Sequence, residues 1–156
     1  MTDHRLLIQH RRATRLEAEP ELIDPHTELM SALPLMGRVS AGQPLAAIED
    51  PDWVEVPARL AHRARFALRV RGESMTGDGI EDGDLILIAP QASARDGEIV
   101  VARIDGEAAT LKRLFREGAT VRLQPAHAEM APLRVPAETV ELIGVVVAVL
   151  REPPER

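Results

Sequence analysis

Two side chains in this sequence could act together as a nucleophile and a base, namely Ser74 and Lys112. The chain holds 18 arginines and one lysine, and that lysine lies among apolar neighbours in the strand-like run Ala109–Phe115. Arginine stays protonated at any usable pH, whereas a lysine in apolar surroundings can lose its proton because burial lowers its pKa. A neutral amine can accept the proton of a serine hydroxyl, so these two residue types predict a Ser-Lys hydrolytic dyad.

Each of the two residues also has an ordinary structural interpretation. A serine beside a turn is usually a capping or solvated hydroxyl. Lys112 could equally be a surface strand residue whose aliphatic stem covers apolar area. The residue types alone leave both interpretations open. The predicted secondary structure around Ser74 and Lys112 gives further information.

The segment around Ser74 is predicted to be a loop between two strands. Apolar and other residues alternate through Phe66–Arg71, a period that indicates a strand. Gly72–Leu85 follows, with the sequence G-E-S-M-T-G-D-G-I-E-D-G-D-L, and its glycines and acidic residues predict a long turn. Leu85–Ile88 is a second apolar strand. Ser74 therefore falls where a rigid sheet gives way to an irregular loop, a common place for a reactive side chain.

The remainder of the chain predicts a mainly β fold. A strand over Gly97–Ile104 ends at Asp105-Gly106, which is a strong hairpin signal, and the Lys112 strand follows it. The final apolar run, Val140–Leu150, is expected to be a central strand or a dimer seam, because an exposed apolar edge invites aggregation. Further turns and strands are predicted at Asp96-Gly97, Glu117-Gly118 and Thr120–Leu123.

Three motifs in a fixed order resemble the LexA/UmuD group of self-cleaving proteins, the S24 serine peptidases. They are the loop Gly72–Leu85, the strand T-L-K-R-L at Thr110–Leu114, and Gly37–Leu45, which is similar to the cleavage-site region of that family. The resemblance runs from about Leu33 to Arg151 and is closest to the C-terminal domain of LexA repressors. Signal peptidases share the Ser-Met and Lys pattern, but they need membrane anchors, and no segment here approaches the roughly 20 apolar residues of a membrane span.

The resemblance implies a fold, a reaction and a set of site residues. The fold would be a LexA/signal-peptidase-like β-rich catalytic domain with a short irregular N-terminal arm. Ser74 and Lys112 would be catalytic, and the scissile bond would join Ala41 to Gly42. The backbone N–H groups of Ser74 and Glu73 would hold the oxyanion. No cofactor and no metal ion are expected, since the five histidines are scattered and no cysteine is present.

We expect three regions along the chain. Residues 1–35 would be a flexible arm, residues 36–48 the cleavage-site segment, and residues 49–152 the catalytic and dimerisation domain. Trp53 is predicted to be a packing residue. The arm is basic at its start and acidic further on, and 41 residues before Gly42 are too few for the winged helix-turn-helix domain of a LexA repressor.

The charge of the chain argues against direct DNA binding. The formal net charge is −6, and removing residues 1–16, with four arginines and one aspartate, leaves −9. A surface this acidic repels the DNA backbone. DNA is therefore expected as a partner only if a helix-turn-helix domain is supplied elsewhere.

Three function classes remain open. The first is a LexA-like regulator core of the SOS response to DNA damage, which cleaves itself at Ala41-Gly42 under stimulation by the RecA–single-stranded DNA filament. The second is a UmuD-like accessory subunit of an error-prone DNA polymerase, and the third is a dimerisation module without catalysis. The resemblance implies a homodimer through the C-terminal strands. The absence of cysteine, of a signal peptide and of an apolar span predicts a cytoplasmic protein without membrane contact.

Overall fold

The computed structural model describes residues 6–12, 15–16, 21–23, 29–39 and 52–151, with side chains placed in 29–37 and 52–151. Strands dominate these residues, and the helical content is one short α-helix and two 3₁₀ turns. The strands are β1 (Leu6–Arg12), β2 (Arg15–Leu16), β3 (Glu21–Ile23), β4 (Met30–Val39), β5 (Asp52–Pro57), β6 (Phe66–Val70), β7 (Leu85–Pro90), β8 (Ile99–Ile104), β9 (Thr110–Glu117), β10 (Thr120–Gln124), β11 (Leu133–Pro136) and β12 (Val140–Arg151). The helix is α1 (Ala58–Ala61), and the 3₁₀ turns are Thr76–Asp78 and Ala137–Thr139.

The strands form one sheet in the order β11-β10-β9-β8-β12-β7-β6-β4-β5, with β1 pairing to β12 and to the small strands β2 and β3. All neighbours are antiparallel except β4 and β6, which run parallel. The mainly β fold predicted from the sequence is confirmed. Val140–Leu150 is a central strand, as one of its two interpretations predicted, since β12 lies between β8 and β7.

The middle of the sheet is buried on both faces. Along β7, Leu85 and Leu87 belong to one buried cluster, whereas Ile86 and Ile88 belong to a second. Because successive strand side chains point to opposite faces, apolar residues at every position cover both sides of the sheet. This explains why β7 and β12 read as continuous apolar runs without a polar face.

A β-bulge in β12 shifts its side chains relative to β7. The pairing moves out of register between Val146 and Ala148. As a result Val147 and Ala148, although consecutive, both join the same buried cluster. β12 pairs with β8 through Val140–Val145 and with β7 through Gly144–Leu150, and a bulge of this kind bends the strand and increases its local twist.

Strand pairing brings part of the N-terminal arm against the sheet. Backbone pairing joins Leu7 to Arg151 and His10 to Ala148, so β1 extends the sheet beside the last residues of β12. β4 crosses the expected boundary at residues 35/36 and pairs with both β5 and β6.

Trp53 is not a packing residue, contrary to the prediction. Its side chain is 63% exposed on β5, which is the last strand in the sheet order. The inward positions of this strand are taken by Val54 and Val56 instead. No helix among the described residues is long and apolar enough to cross a membrane.

Candidate active site

The loop that carries Ser74 is closed at its base by the sheet. The N–H of Val70 donates to the carbonyl of Asp84 at 2.8 Å, and the N–H of Gly83 donates to the carbonyl of Val70 at 2.8 Å. Gly72 N–H donates to the Asp82 carboxylate at 2.8 Å. Both glycines have positive φ, of 89° and 87°, which only glycine adopts readily. The acidic, glycine-rich composition of this segment therefore serves the closure of the loop.

Two apolar side chains fix the loop from within. Met75 and Ile80 are 1% and 0% exposed and belong to the buried cluster that also holds Leu68 and Val101. Between them the chain makes a tight turn, in which the N–H of Ile80 donates to the carbonyl of Met75 at 3.2 Å. Ser74 itself is half-buried. The nucleophile candidate is thus held at the rim of the core by its buried neighbour.

A second segment, distant in sequence, holds the loop from outside. The N–H of Ala126 donates to the carbonyl of Ser74 at 2.7 Å, and the N–H of Gly77 donates to the carbonyl of Ala126 at 2.6 Å. A Cβ on Gly77 would lie 2.6 Å from that carbonyl oxygen, so only glycine fits without a shift. The sequence offered no signal for Ala126, because backbone contacts 50 residues apart leave no residue-type signature.

Lys112 extends from β9, where it pairs with Val100 of β8, and its amine reaches Ser74. The Nζ atom donates to Ser74 Oγ at 3.2 Å, to Thr110 Oγ1 at 2.9 Å and to the carbonyl of Leu111 at 3.0 Å. Thr110 lies two residues before Lys112 on the same strand, so their side chains share a face. The structure brings together the two residues that the sequence singled out.

The surroundings of Lys112 favour the uncharged amine. Burial lowers its pKa from the ordinary value of 10.5. None of the ion pairs in the described part of the chain involves Lys112, so no carboxylate offsets the effect of burial. A neutral amine can donate to Thr110 and Leu111 while its lone pair accepts the Ser74 hydroxyl proton. The arrangement therefore suits a general base in contact with its nucleophile.

The remaining predicted site residues are not placed in this way. Ala41 and Gly42 lie outside the described residues. The N–H groups of Ser74 and Glu73 stay a prediction for the oxyanion hole. Within 29–39 and 52–151, no group of three or more His, Cys, Asp or Glu side chains is arranged to hold a metal ion.

Two ion pairs around the loop escaped the sequence reasoning. Arg113 contacts Asp78 at 2.8 Å, and Arg151 contacts the buried Asp84 at 2.8 Å. From the sequence, the acidic residues of Gly72–Leu85 predict only a turn. Arg113 follows Asp78 by 35 residues and Arg151 follows Asp84 by 67, and no local pattern indicates which carboxylate each arginine contacts.

A serine hydroxyl in hydrogen-bond contact with an amine whose pKa burial lowers, on a mainly β scaffold, is compatible with a serine peptidase of the Ser-Lys type. Comparison with known families agrees with this class, because the Peptidase S24-like family matches residues 34–147. The chain belongs to the Peptidase S24-like family.

The relatives include several LexA repressors. The one from Koribacter versatilis (strain Ellin345) is 48% identical over 122 residues, which cover 78% of this chain and 58% of the relative. That from Syntrophobacter fumaroxidans is 44% identical over 132 residues, covering 84% and 63%. That from Thermotoga petrophila is 38% identical over 141 residues, covering 88% and 71%. The chain thus spans about three fifths of the length of the first two.

Proposed function

We propose that this chain is a LexA-like regulator core that cleaves its own Ala41-Gly42 bond with Ser74 as nucleophile and Lys112 as general base. The observation that carries the proposal is the 3.2 Å contact between Lys112 Nζ and Ser74 Oγ, made by an amine whose pKa burial lowers. Membership in the Peptidase S24-like family supports the reaction class.

The proposed reaction proceeds through an acyl-enzyme. Lys112 takes the hydroxyl proton as Ser74 Oγ attacks the carbonyl carbon of Ala41. The protonated amine then gives a proton to the nitrogen of Gly42, the C–N bond breaks, and an ester joins Ser74 to Ala41. Water, deprotonated by the same amine, hydrolyses the ester and restores Ser74.

The strand register supports cleavage within one chain. β4 and β6 run parallel, and Val39 at the end of β4 pairs with Val70 at the end of β6. Ser74 follows Val70 by four residues, and Ala41 follows Val39 by two. Two residues span at most about 7 Å of chain. The proposed scissile bond is therefore tethered beside the strand that leads to the nucleophile, so docking of a local segment controls the rate.

The regulatory role rests on the relatives and on the resemblance of the three motifs. The LexA repressors matched here support an SOS-regulator core. In this role the RecA–single-stranded DNA filament favours the docked segment, and two copies associate through their C-terminal strands. DNA is a partner only if a helix-turn-helix domain is supplied elsewhere, since the net charge of this chain is −6.

The decisive experiment is incubation of the purified chain at pH 10 with intact-mass measurement over time. We expect two products, residues 1–41 and 42–156, formed at a rate independent of protein concentration. The composition makes the pH dependence unusually clean, because the chain has no Cys, no Tyr and one Lys. Apart from Lys112, no side chain in the sequence has an ordinary pKa between about 8 and 12.

Variants separate the dyad from general base hydrolysis. Ser74→Ala and Lys112→Ala should stay intact, whereas Ser93→Ala, which removes an exposed serine outside the site, should be cut like the parent. A parent chain that stays intact, or equal cutting in Ser74→Ala, contradicts the proposal. Acceleration at pH 7 by RecA bound to single-stranded DNA tests the regulatory part separately.

A further inference from the structure

A partly buried ion pair joins the nucleophile loop to the strand of the base. Arg113 Nη2 and Nε donate to Asp78 Oδ2 at 2.8 and 3.2 Å, and Arg113 Nη1 donates to the carbonyl of Gly97. The two side chains are 15% and 27% exposed. Asp78 ends the 3₁₀ turn that begins two residues after Ser74. Arg113 is the residue next to Lys112.

Consecutive residues of β9 therefore contact two points of the same loop. Lys112 meets the loop at Ser74, and Arg113 meets it four residues further on, at Asp78. The contact at Ser74 alone would fix the loop relative to β9 at one point and leave rotation about that point to the loop's other contacts. A second contact, made by an arginine whose planar group also donates to Gly97, restricts that rotation.

We infer that Arg113 and Asp78 are positioning residues that set the distance between Ser74 Oγ and Lys112 Nζ. The inference deepens the proposed function and rests on it. Neither residue touches the reacting atoms. Ala126 holds the loop through the backbone of Ser74 and Gly77, and Arg151 holds it at the carbonyl of Gly79, whereas Arg113 is the residue that contacts the Asp78 side chain. A misplacement near 1 Å at a reacting pair can slow a reaction by about 100-fold.

The test measures self-cleavage of Asp78→Asn, Arg113→Gln and Arg113→Lys from pH 7 to 11. We expect the maximal rate to fall at least about tenfold in all three, while the pH midpoint stays close to the parent's. Asp78→Asn removes a negative charge from the loop and Arg113→Gln removes a positive charge next to Lys112 in the chain. An electrostatic role would therefore move the two midpoints in opposite directions with unchanged maximal rates, and that result would overturn the inference.

Glu117→Gln provides the matched control. Glu117 also lies on β9 and pairs with Arg122 at 2.7 Å, but it does not contact the loop. Its rate should stay within twofold of the parent's. Melting temperatures are compared in chains that also carry Ser74→Ala, so that cleavage does not interfere. Rate losses explained by the unfolded fraction alone would overturn the positioning role.

Labelling with a serine-directed fluorophosphonate measures the reactivity of Ser74 without requiring the cleavage-site segment to dock. Ser74 Oγ displaces fluoride from phosphorus, Lys112 takes the hydroxyl proton, and intact mass reports the adduct. Slower labelling in Asp78→Asn and Arg113→Gln, with parental labelling in Glu117→Gln, supports positioning. Parental labelling in all variants overturns it while leaving the proposed function intact. A parent that neither cleaves nor labels overturns both.

Discussion

Arg151 and Asp84, separated by 67 residues, form a two-point ion pair at the base of the nucleophile loop. Arg151 Nε donates to Asp84 Oδ1 and Nη2 to Oδ2, each at 2.8 Å. The same Nη2 donates to the carbonyl of Gly79 at 2.9 Å, and the second carboxylate oxygen accepts the N–H of Glu81 at 2.7 Å. The last residue of β12 is thereby attached to the loop that carries Ser74.

Replacement of Arg151 by Gln should destabilise the protein by roughly 2–3 kcal/mol. Asp84 is 2% exposed, so its carboxylate would be left buried without its charged partner, which is costly. The exposure of Arg151, 28% of its side chain, places the expected loss below that of a fully buried pair. Urea unfolding of chains that also carry Ser74→Ala measures the change without interference from cleavage.

Arg134→Gln is the control for that measurement. Arg134 pairs with Glu117 at 3.2 Å, and the two side chains are 56% and 37% exposed. Exposed pairs of this kind contribute little, so the expected change is under about 0.5 kcal/mol. Equal losses of unfolding free energy in Arg151→Gln and Arg134→Gln would show that the Arg151–Asp84 pair stabilises the fold no more than an exposed pair does.

Gly77→Ala should slow self-cleavage and lower stability by about 1–3 kcal/mol, the usual range for overpacking. The added methyl group would lie 2.6 Å from the Ala126 carbonyl oxygen, which the Gly77 N–H also contacts. Either the loop or the segment at Ala126 must shift, and Ser74 shifts with them. Thr76→Ala, at an exposed neighbouring position, is the comparison for cleavage rate and melting temperature. If Gly77→Ala keeps the parental cleavage rate and melting temperature, the segment at Ala126 can shift without loss of stability or activity.

How far the sequence predicts this site depends on the kind of contact. Ser74 and Lys112 are predictable because their residue types, their apolar neighbours and their order match a known chemistry. The Asp105-Gly106 hairpin is predictable because both residues need positive φ, and both have it, at 52° and 73°. The partners of the nucleophile loop, such as Ala126 and Arg151, are set by which strands become neighbours in the sheet. Local patterns do not encode that choice.

Thr110→Val should move the pH midpoint of cleavage downward and reduce the maximal rate about fivefold. Thr110 Oγ1 accepts a hydrogen bond from Lys112 Nζ at 2.9 Å. A charged amine gains more from this acceptor than a neutral one, so its loss lowers the pKa of Lys112 further. The amine also loses one orienting contact, for which a net value near 1 kcal/mol corresponds to about fivefold in rate. Thr110→Ser keeps the hydroxyl and should retain the parental midpoint. The same pH midpoint in the parent, Thr110→Val and Thr110→Ser would show that Thr110 does not affect the pKa of Lys112.

Lys112→Met should stabilise the fold relative to the parent most at neutral pH and least near pH 10.5. Burial holds the folded-state pKa of Lys112 below its ordinary value of 10.5. The charged amine therefore disfavours the folded state fully below the folded-state pKa, and this penalty fades as the pH rises to the ordinary value. Methionine fills similar volume without a charge, although it gives up the hydrogen bond to Thr110, and that loss adds a nearly constant offset. Urea unfolding of both chains in the Ser74→Ala background, at pH 7, 9 and 10.5, gives the difference in unfolding free energy. Because this is the only lysine and the chain has no Tyr or Cys, the slope of that difference with pH belongs to Lys112. A flat difference would mean that the amine keeps its ordinary pKa in the folded protein, and the general-base role would lose its physical basis.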